Sequence, residues 1–238
     1  MKLSIDLWGE ICESFTYDEN LTYSIVRNDG KISSEQVKNY FCDNLPAYEQ
    51  TALDCLTGTV LDIGCGPGRS LRYLSKKNVQ CIGIDSSPKT VELAKKRVDC
   101  KILIDDFHNI LDYKKEGIDG ILLNGNNLGL SGNWKEFENF ISQAYQTLKK
   151  NGILVGHSIN PHMTSDKRNL EYQKNNINRG IYCGQIRIHL EYMDKRSPEW
   201  NILLLGPKDC ELVLKNAGFT NIRFLTNGPY YYVIASKN

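Results

Sequence analysis

Residues 60–68 read VLDIGCGPG. An apolar run closes on Asp62, and glycine then takes every second position, at 64, 66 and 68. Glycine reaches positive φ at no steric cost and carries no Cβ, so such a loop bends sharply and lets a ligand touch its backbone. A loop between a strand and its following helix lies at the carboxyl edge of an open α/β sheet, where these folds bind ligands. The first N–H groups of that helix favour an anionic or polar ligand group. A tight turn with nothing bound is the plainer alternative. The spacing is G-x-G-x-G, not the G-x-G-x-x-G of a dinucleotide loop, and no G-K-[ST] follows as in a phosphate loop.

Working outward, apolar strands alternate with amphipathic helices from residue 59 to about 156. TVLDIG, NVQCIGID, CKILIDD, IDGILLNG and ILVGHS read as five strands. GRSLRYLSKK, SSPKTVELAKKRV and NWKEFENFISQAYQTLKKNG read as helices. The second of these has serine caps and Pro88 in its first turn. In the third, Trp134, Phe137, Ile141, Ala144 and Leu148 recur at helical intervals, with Lys149, Lys150 and Gly152 as its stop signals. This order predicts a mostly parallel sheet covered on both faces, a three-layer Rossmann-like α/β fold. PKDCELVLKNAG reads as a last helix, and TNIRFLT and YYYVIAS flank NGP, which has turn chemistry. The sheet should therefore end in an antiparallel hairpin. Residues 1–51 lack the alternation, are rich in aromatics, and are expected to form a helical cap over the ligand edge. Residues 52–238 form the main domain, with an excursion over about 160–200.

Lysine plus arginine number 29 against 28 acids in 238 residues. That balance gives no general attraction to nucleic acid or anionic membrane, and no apolar run is long enough to span a bilayer. The eight cysteines include no C-x-x-C pair, so no metal site is expected. With no leader expected at the N-terminus, the reading is a reduced, cytoplasmic protein.

VLDIGCGPGRS resembles the first motif of the class I S-adenosylmethionine-dependent methyltransferases. GIDSSP resembles the second motif, LIDDF the acid region after the third strand, and LKKNGILVGHS the helix–turn–strand after the fourth. The resemblance covers residues 52–238 and implies S-adenosyl-L-methionine as cofactor. It implies that Gly64, Gly66 and Gly68 line the methionine and ribose, with Cys65 and Ser86 inside the same two motifs. Asp62 would brace the loop or accept from the cofactor's amino group. Asp85 would take both ribose hydroxyls, Asp106 the adenine amino group with Asp105 as competitor, and Phe107 the adenine face. Asn124 would end the fourth strand near the sulfonium.

A sulfonium is already a strong methyl donor, so the enzyme must align a nucleophile and exclude water. A general base is needed only where the nucleophile carries a proton. NGNNLGL (residues 124–130) lacks the N-P-P-Y or D-P-P-Y of DNA amino-methyltransferases, which argues against a flipped base as acceptor. His157, after the apolar run ILVG, should reach the same edge and is the candidate base; a hydrogen-bonded structural histidine is the alternative. His162, His108 and His189 are weaker candidates. Asn126 or Asn127 could bind substrate or simply turn the chain. Tyr17, Tyr23, Tyr40, Tyr48 and Trp200 could build an aromatic pocket, and Arg187 could pair with a substrate anion, although aromatic anchoring and a solvated strand face explain them as well. The function expected is methyl transfer to an oxygen or nitrogen of a small molecule. RNA or protein as acceptor, a cofactor-binding protein without turnover, and a nicotinamide dehydrogenase are the competing readings; the glycine spacing and closing hairpin oppose the last.

Overall fold

A computed structural model describes residues 6–238. The N-terminal segment holds helix α1 (Leu7–Ser14), strands β1 (Thr22–Arg27) and β2 (Ile32–Gln36), and helix α2 (Ala47–Leu53). The alternating region follows as β3 (Thr59–Ile63), α3 (Arg69–Ser75), β4 (Gln80–Asp85), α4 (Pro88–Arg97), β5 (Lys101–Ile104), β6 (Ile118–Leu123), α5 (Trp134–Thr147) and β7 (Leu148–Ile159). A 3-10 segment, Phe107–Glu116, joins β5 to β6. The chain continues through α6 (Lys167–Asn178), β8 (Gln185–Tyr192), β9 (Lys195–Arg196), β10 (Trp200–Leu203), α7 (Pro207–Ala217), β11 (Thr220–Asn227) and β12 (Tyr230–Ser236).

The main sheet has seven strands in the order β11-β12-β7-β6-β3-β4-β5. The five from β5 to β7 are parallel, while β12 runs antiparallel to β7 and to β11. The expected parallel sheet and closing hairpin are both present. Side chains alternate across it with the period of two that strands impose. Leu61, Ile63, Ile121, Leu123, Tyr231 and Val233 face one layer with Phe137 and Phe140 of α5 and Leu214 of α7. Val60, Leu122, Tyr232 and Ile234 face the other with Leu71, Leu74, Val91 and Ala94 of α3 and α4. Ser87 caps α4 by accepting from the Thr90 N–H, and Pro88 sits in its first turn. One boundary differs from expectation. Helix α5 stops at Thr147, and Lys149, Lys150 and Gly152 belong to β7, with Asn151 turning the strand at φ 64°.

The N-terminal segment is not the wholly helical cap expected: between α1 and α2 it carries a β-hairpin and a 3-10 turn, Val37–Tyr40. Its hairpin joins β8 and β10 in a second, antiparallel sheet ordered β10-β8-β1-β2. The excursion is likewise ordered, and much of it forms α6. Polar contacts bind the two pieces: Arg27 Nη1 donates to Asn169 at 2.9 Å, Lys31 Nζ to Asp166 at 2.7 Å, and Tyr172 Oη to Asn28 at 2.7 Å. This joint cap lies over the carboxyl edge of the main sheet. Helix α1 packs on α4, Glu49 of α2 reaches the start of α3, and β10 leads into Leu203 and Leu205 beside the ends of β6 and β7.

Candidate active site at the glycine loop

All three loop glycines have positive φ, at 71°, 52° and 83° for Gly64, Gly66 and Gly68. Their reasons differ. A Cβ on Gly64 would lie 2.4 Å from Asn127 Nδ2, and one on Gly68 3.2–3.3 Å from Val98 and Ala94. A Cβ on Gly66 would meet nothing within 4 Å. Gly64 and Gly68 therefore serve packing, and Gly66 opens the cradle. The loop is braced from three sides. Asn127 Nδ2 donates to the carbonyls of Ile63 and Gly64, both at 2.9 Å; Arg97 donates to the Pro67 carbonyl at 2.6 Å; and the Gly66 N–H donates to Asp85 Oδ2 at 2.8 Å.

Asp85 also accepts from the Ser87 N–H at 2.9 Å and Thr90 Oγ1 at 3.2 Å, both on Oδ1. Three of about four acceptor positions on the carboxylate are thus filled by the protein. Burial pushes its pKa up, against the pull of these donors. Asp62 contrasts with it. It is 1% exposed, and neither carboxylate oxygen has a partner among the described residues. Burial, then the nearby Asp85 charge, push its carboxyl up to about 8. A buried carboxylate with no donor is costly unless a cation or donor arrives.

Deeper in the site, Asn124 is fully engaged. Its Nδ2 donates to Glu49 Oε1 and Ser70 Oγ, both at 2.8 Å, while its Oδ1 accepts from the Gly125 N–H at 2.9 Å and Tyr232 Oη at 2.5 Å. Glu49, 3% exposed, also takes both arms of Arg69, at 2.6 and 3.2 Å. Glu49, Arg69, Ser70 and Tyr232 escaped the sequence reading. One signal was present: Arg69 opens α3, where the helix dipole disfavours a cation, so an Arg69 held there calls for an acid from elsewhere.

His157 is buried at the end of β7, with the rings of Tyr230 and Tyr232 centred 6.1 and 4.8 Å away. Its Nδ1 accepts from the Asn126 N–H at 3.0 Å. Burial, then the Arg69 charge, lower its pKa to about 4. It is therefore neutral near pH 7, with its proton on Nε2. A ring nitrogen that already carries a proton donates rather than accepts, so this tautomer is the wrong one for a base acting through Nε2.

The other candidates are scattered. Cys65 is buried behind the loop, Ser86 is exposed, and Phe107 packs edge-on against Phe140. Asp106 caps the 3-10 segment by accepting from the His108 N–H, while Asp105 accepts from Asn109 Nδ2 and Tyr113 Oη. Asn127 is committed to the loop. Tyr17 is 92% exposed, and Tyr23 is buried with its Oη 3.0 Å from Tyr40 Oη, both edge-on to Trp8. Arg187 pairs with Glu199 at 2.8 Å on the surface, and Trp200 lies half-exposed on β10. The structure does not bring Tyr17, Tyr23, Arg187 and Trp200 together as one pocket; of the aromatics, Tyr48 alone reaches the site, 5.6 Å from Tyr232. His162 faces Asp209 at 3.6 Å, and His189 contacts Glu191 at 3.0 Å.

Residues 60–152, which begin at the glycine loop, match the family described as a methyltransferase domain. Over that stretch the chain is similar to a methyltransferase domain. Its fold is that of solved methyltransferases. One is an S-adenosylmethionine-dependent methyltransferase from Bacteroides fragilis in complex with S-adenosyl-L-homocysteine, 21% identical, with 97% of this chain and 94% of that one covered and a TM-score of 0.79. Another comes from Methanosarcina mazei, 17% identical, covering 82% and 98%, at 0.63. A third, from Thermotoga maritima, is described as a possible histamine N-methyltransferase, 21% identical, covering 81% and 89%, at 0.53. No protein of curated function matches the sequence. Among the described residues, no helix is long and apolar enough to cross a membrane, and no cluster of acids, histidines and cysteines could hold a metal ion.

Proposed function

We propose that this protein transfers the methyl group of S-adenosylmethionine to a small molecule, at an oxygen or a nitrogen. The observation that carries the reading is Asp62, a sealed carboxylate with two unpaired oxygens near the end of the strand that leads into the glycine loop. The α-ammonium of S-adenosylmethionine supplies the missing charge, and a charge-assisted pair there offsets the burial. Bound cofactor supplies a methyl carried on a sulfonium. Gly66 lets the amino-acid portion lie on the loop backbone. Asp85 has one acceptor position left, enough for one ribose hydroxyl. Ser86, Asp106 and Phe107 are assigned to the adenine side of the cofactor. The cap formed by β1, β2, β8 and β10 supports a small acceptor over a polymer, because it covers the carboxyl edge where a long substrate would have to lie.

The test is thermal unfolding with S-adenosylhomocysteine and, separately, NAD. A ligand at about 100 times its dissociation constant stabilises by roughly 2.7 kcal/mol. A shift with the first and none with the second is expected. The reverse pattern would refute the assignment.

A further inference from the structure

His157 is set as a donor by its surroundings. The Asn126 N–H that occupies Nδ1 is held by a left-handed backbone at φ 70°, and the Asn126 side chain accepts from Ser158 Oγ at 3.1 Å and donates to the Leu203 carbonyl at 3.4 Å. The proton is therefore on Nε2, which has no partner among the described residues yet is not sealed off.

Among the described residues the site holds no free base. Both oxygens of Glu49 are on Arg69, Asp85 is held by three donors, and Tyr232 donates to Asn124. Asp62 sits with the glycine loop. Tyr48 and Tyr230 are phenols, whose usual pKa near 10 makes them poor bases at neutral pH. An alkylammonium must lose a proton before it can attack, and nothing here takes one. A carboxylate, with a usual pKa near 4, arrives already deprotonated. The Nε2–H favours an anion over a cation.

A cavity of about 210 Å³ is lined by Ile159, two residues beyond His157 on the same face of β7, and by Pro229, next to Tyr230 in sequence. Ile159, Pro161, Met163, Cys183, Ile186 and Leu204 make its walls largely apolar. The polar side chains at its rim are already paired: Gln173 donates to the Pro161 carbonyl at 2.7 Å, and Arg27 is held by Asp29 and Asn169.

We propose that the methyl acceptor is a small carboxylic acid with an apolar body, its carboxylate on the His157 Nε2–H and its body in this cavity. The proposal rests on the methyltransferase reading above. One carboxylate oxygen bonds to the methyl carbon as the carbon–sulfur bond breaks and leaves its electron pair on sulfur. A methyl ester and a neutral thioether result, and no proton moves.

The test is calorimetric titration at pH 7.5 with S-adenosylhomocysteine saturating. The probes are straight-chain acids from acetate to octanoate, phenylacetate, phenylacetamide and phenethylamine. Phenylacetate or a mid-length acid should bind at least about tenfold more tightly than the amide, and the amine should not bind. His157→Phe should weaken acid binding about tenfold or more, within the range for a hydrogen bond to a charged group. His157→Gln, which keeps an N–H donor, should recover most of it, and both variants should still bind S-adenosylhomocysteine. Met163→Trp should exclude phenylacetate while acetate is unaffected. Preference for the amine, no binding by any acid, or undiminished acid binding in His157→Phe overturns the proposal alone. Failure of S-adenosylhomocysteine to bind overturns the cofactor reading and this proposal with it.

Discussion

Replacing Asp62 by Asn should separate stability from cofactor binding. In the folded protein the Asp62 carboxyl is raised from 3.8 to about 8, by burial and then by Asp85. The folded state therefore holds a proton that the unfolded chain releases near pH 4. Asp62's contribution is fully present below pH 4 and is lost as pH rises toward 8, at about 1.4 kcal/mol per unit. At pH 7.5 the ceiling on that loss is roughly 5 kcal/mol. Asn has the same shape and no charge to bury, so urea denaturation of the unliganded variant should show higher stability than wild type at pH 7.5 and no difference near pH 4. Cofactor binding should move the other way. An ammonium on Asp62 requires the charged form, so S-adenosylhomocysteine should displace about one proton at pH 7. Its affinity should rise about tenfold per pH unit until pH approaches 8. Calorimetry in buffers of different ionisation heat counts the proton directly. Asp62→Asn should bind the ligand much more weakly and without proton release. Wild-type affinity that is flat from pH 6 to 8, with no proton displaced, would refute the reasoning.

Gly66→Ala meets no clash in the unliganded protein but keeps a φ of 52°; it should cost about 1 kcal/mol of stability and, in the same thermal assay, abolish the shift with S-adenosylhomocysteine. Glu49→Ala leaves the Arg69 guanidinium and an Asn124 donor unpaired, so chemical denaturation should show a loss of about 3–5 kcal/mol. Gly129→Ala would place a Cβ 1.9 Å from the Leu203 carbonyl oxygen; soluble expression should fall sharply, because backbone has to move.

The main sheet was legible because buried parallel strands are continuous apolar runs, as in Val60–Ile63 and Ile118–Leu123, and their helices carry local caps at Ser87 and Asn133. The second sheet was not. TYSIVR lies in a stretch expected to be a helical cap, and no local pattern encodes its pairing, which sets Val26 opposite His189. The same limit applies to the site. The glycine spacing and Asp62 come from one short stretch. Glu49 acquires meaning only from Arg69, and the role of His157 only from a backbone N–H fixed by the left-handed turn at Asn126. Residue type identified the titratable groups; the partner of each decided which could donate and which were spent.

The pairing of β1 with β8 has a consequence for how the protein reaches its native state. Contacts between distant chain segments close large loops and form late. A ribosome releases the hairpin early, long before the strand it must join, so its free edge waits unpaired through most of synthesis. Such edges are sites of misassembly. Folding should therefore run in two stages, with the parallel sheet first and the sheet above it last. A chain paused between them would hold the glycine loop with the carboxyl edge of its sheet still uncovered.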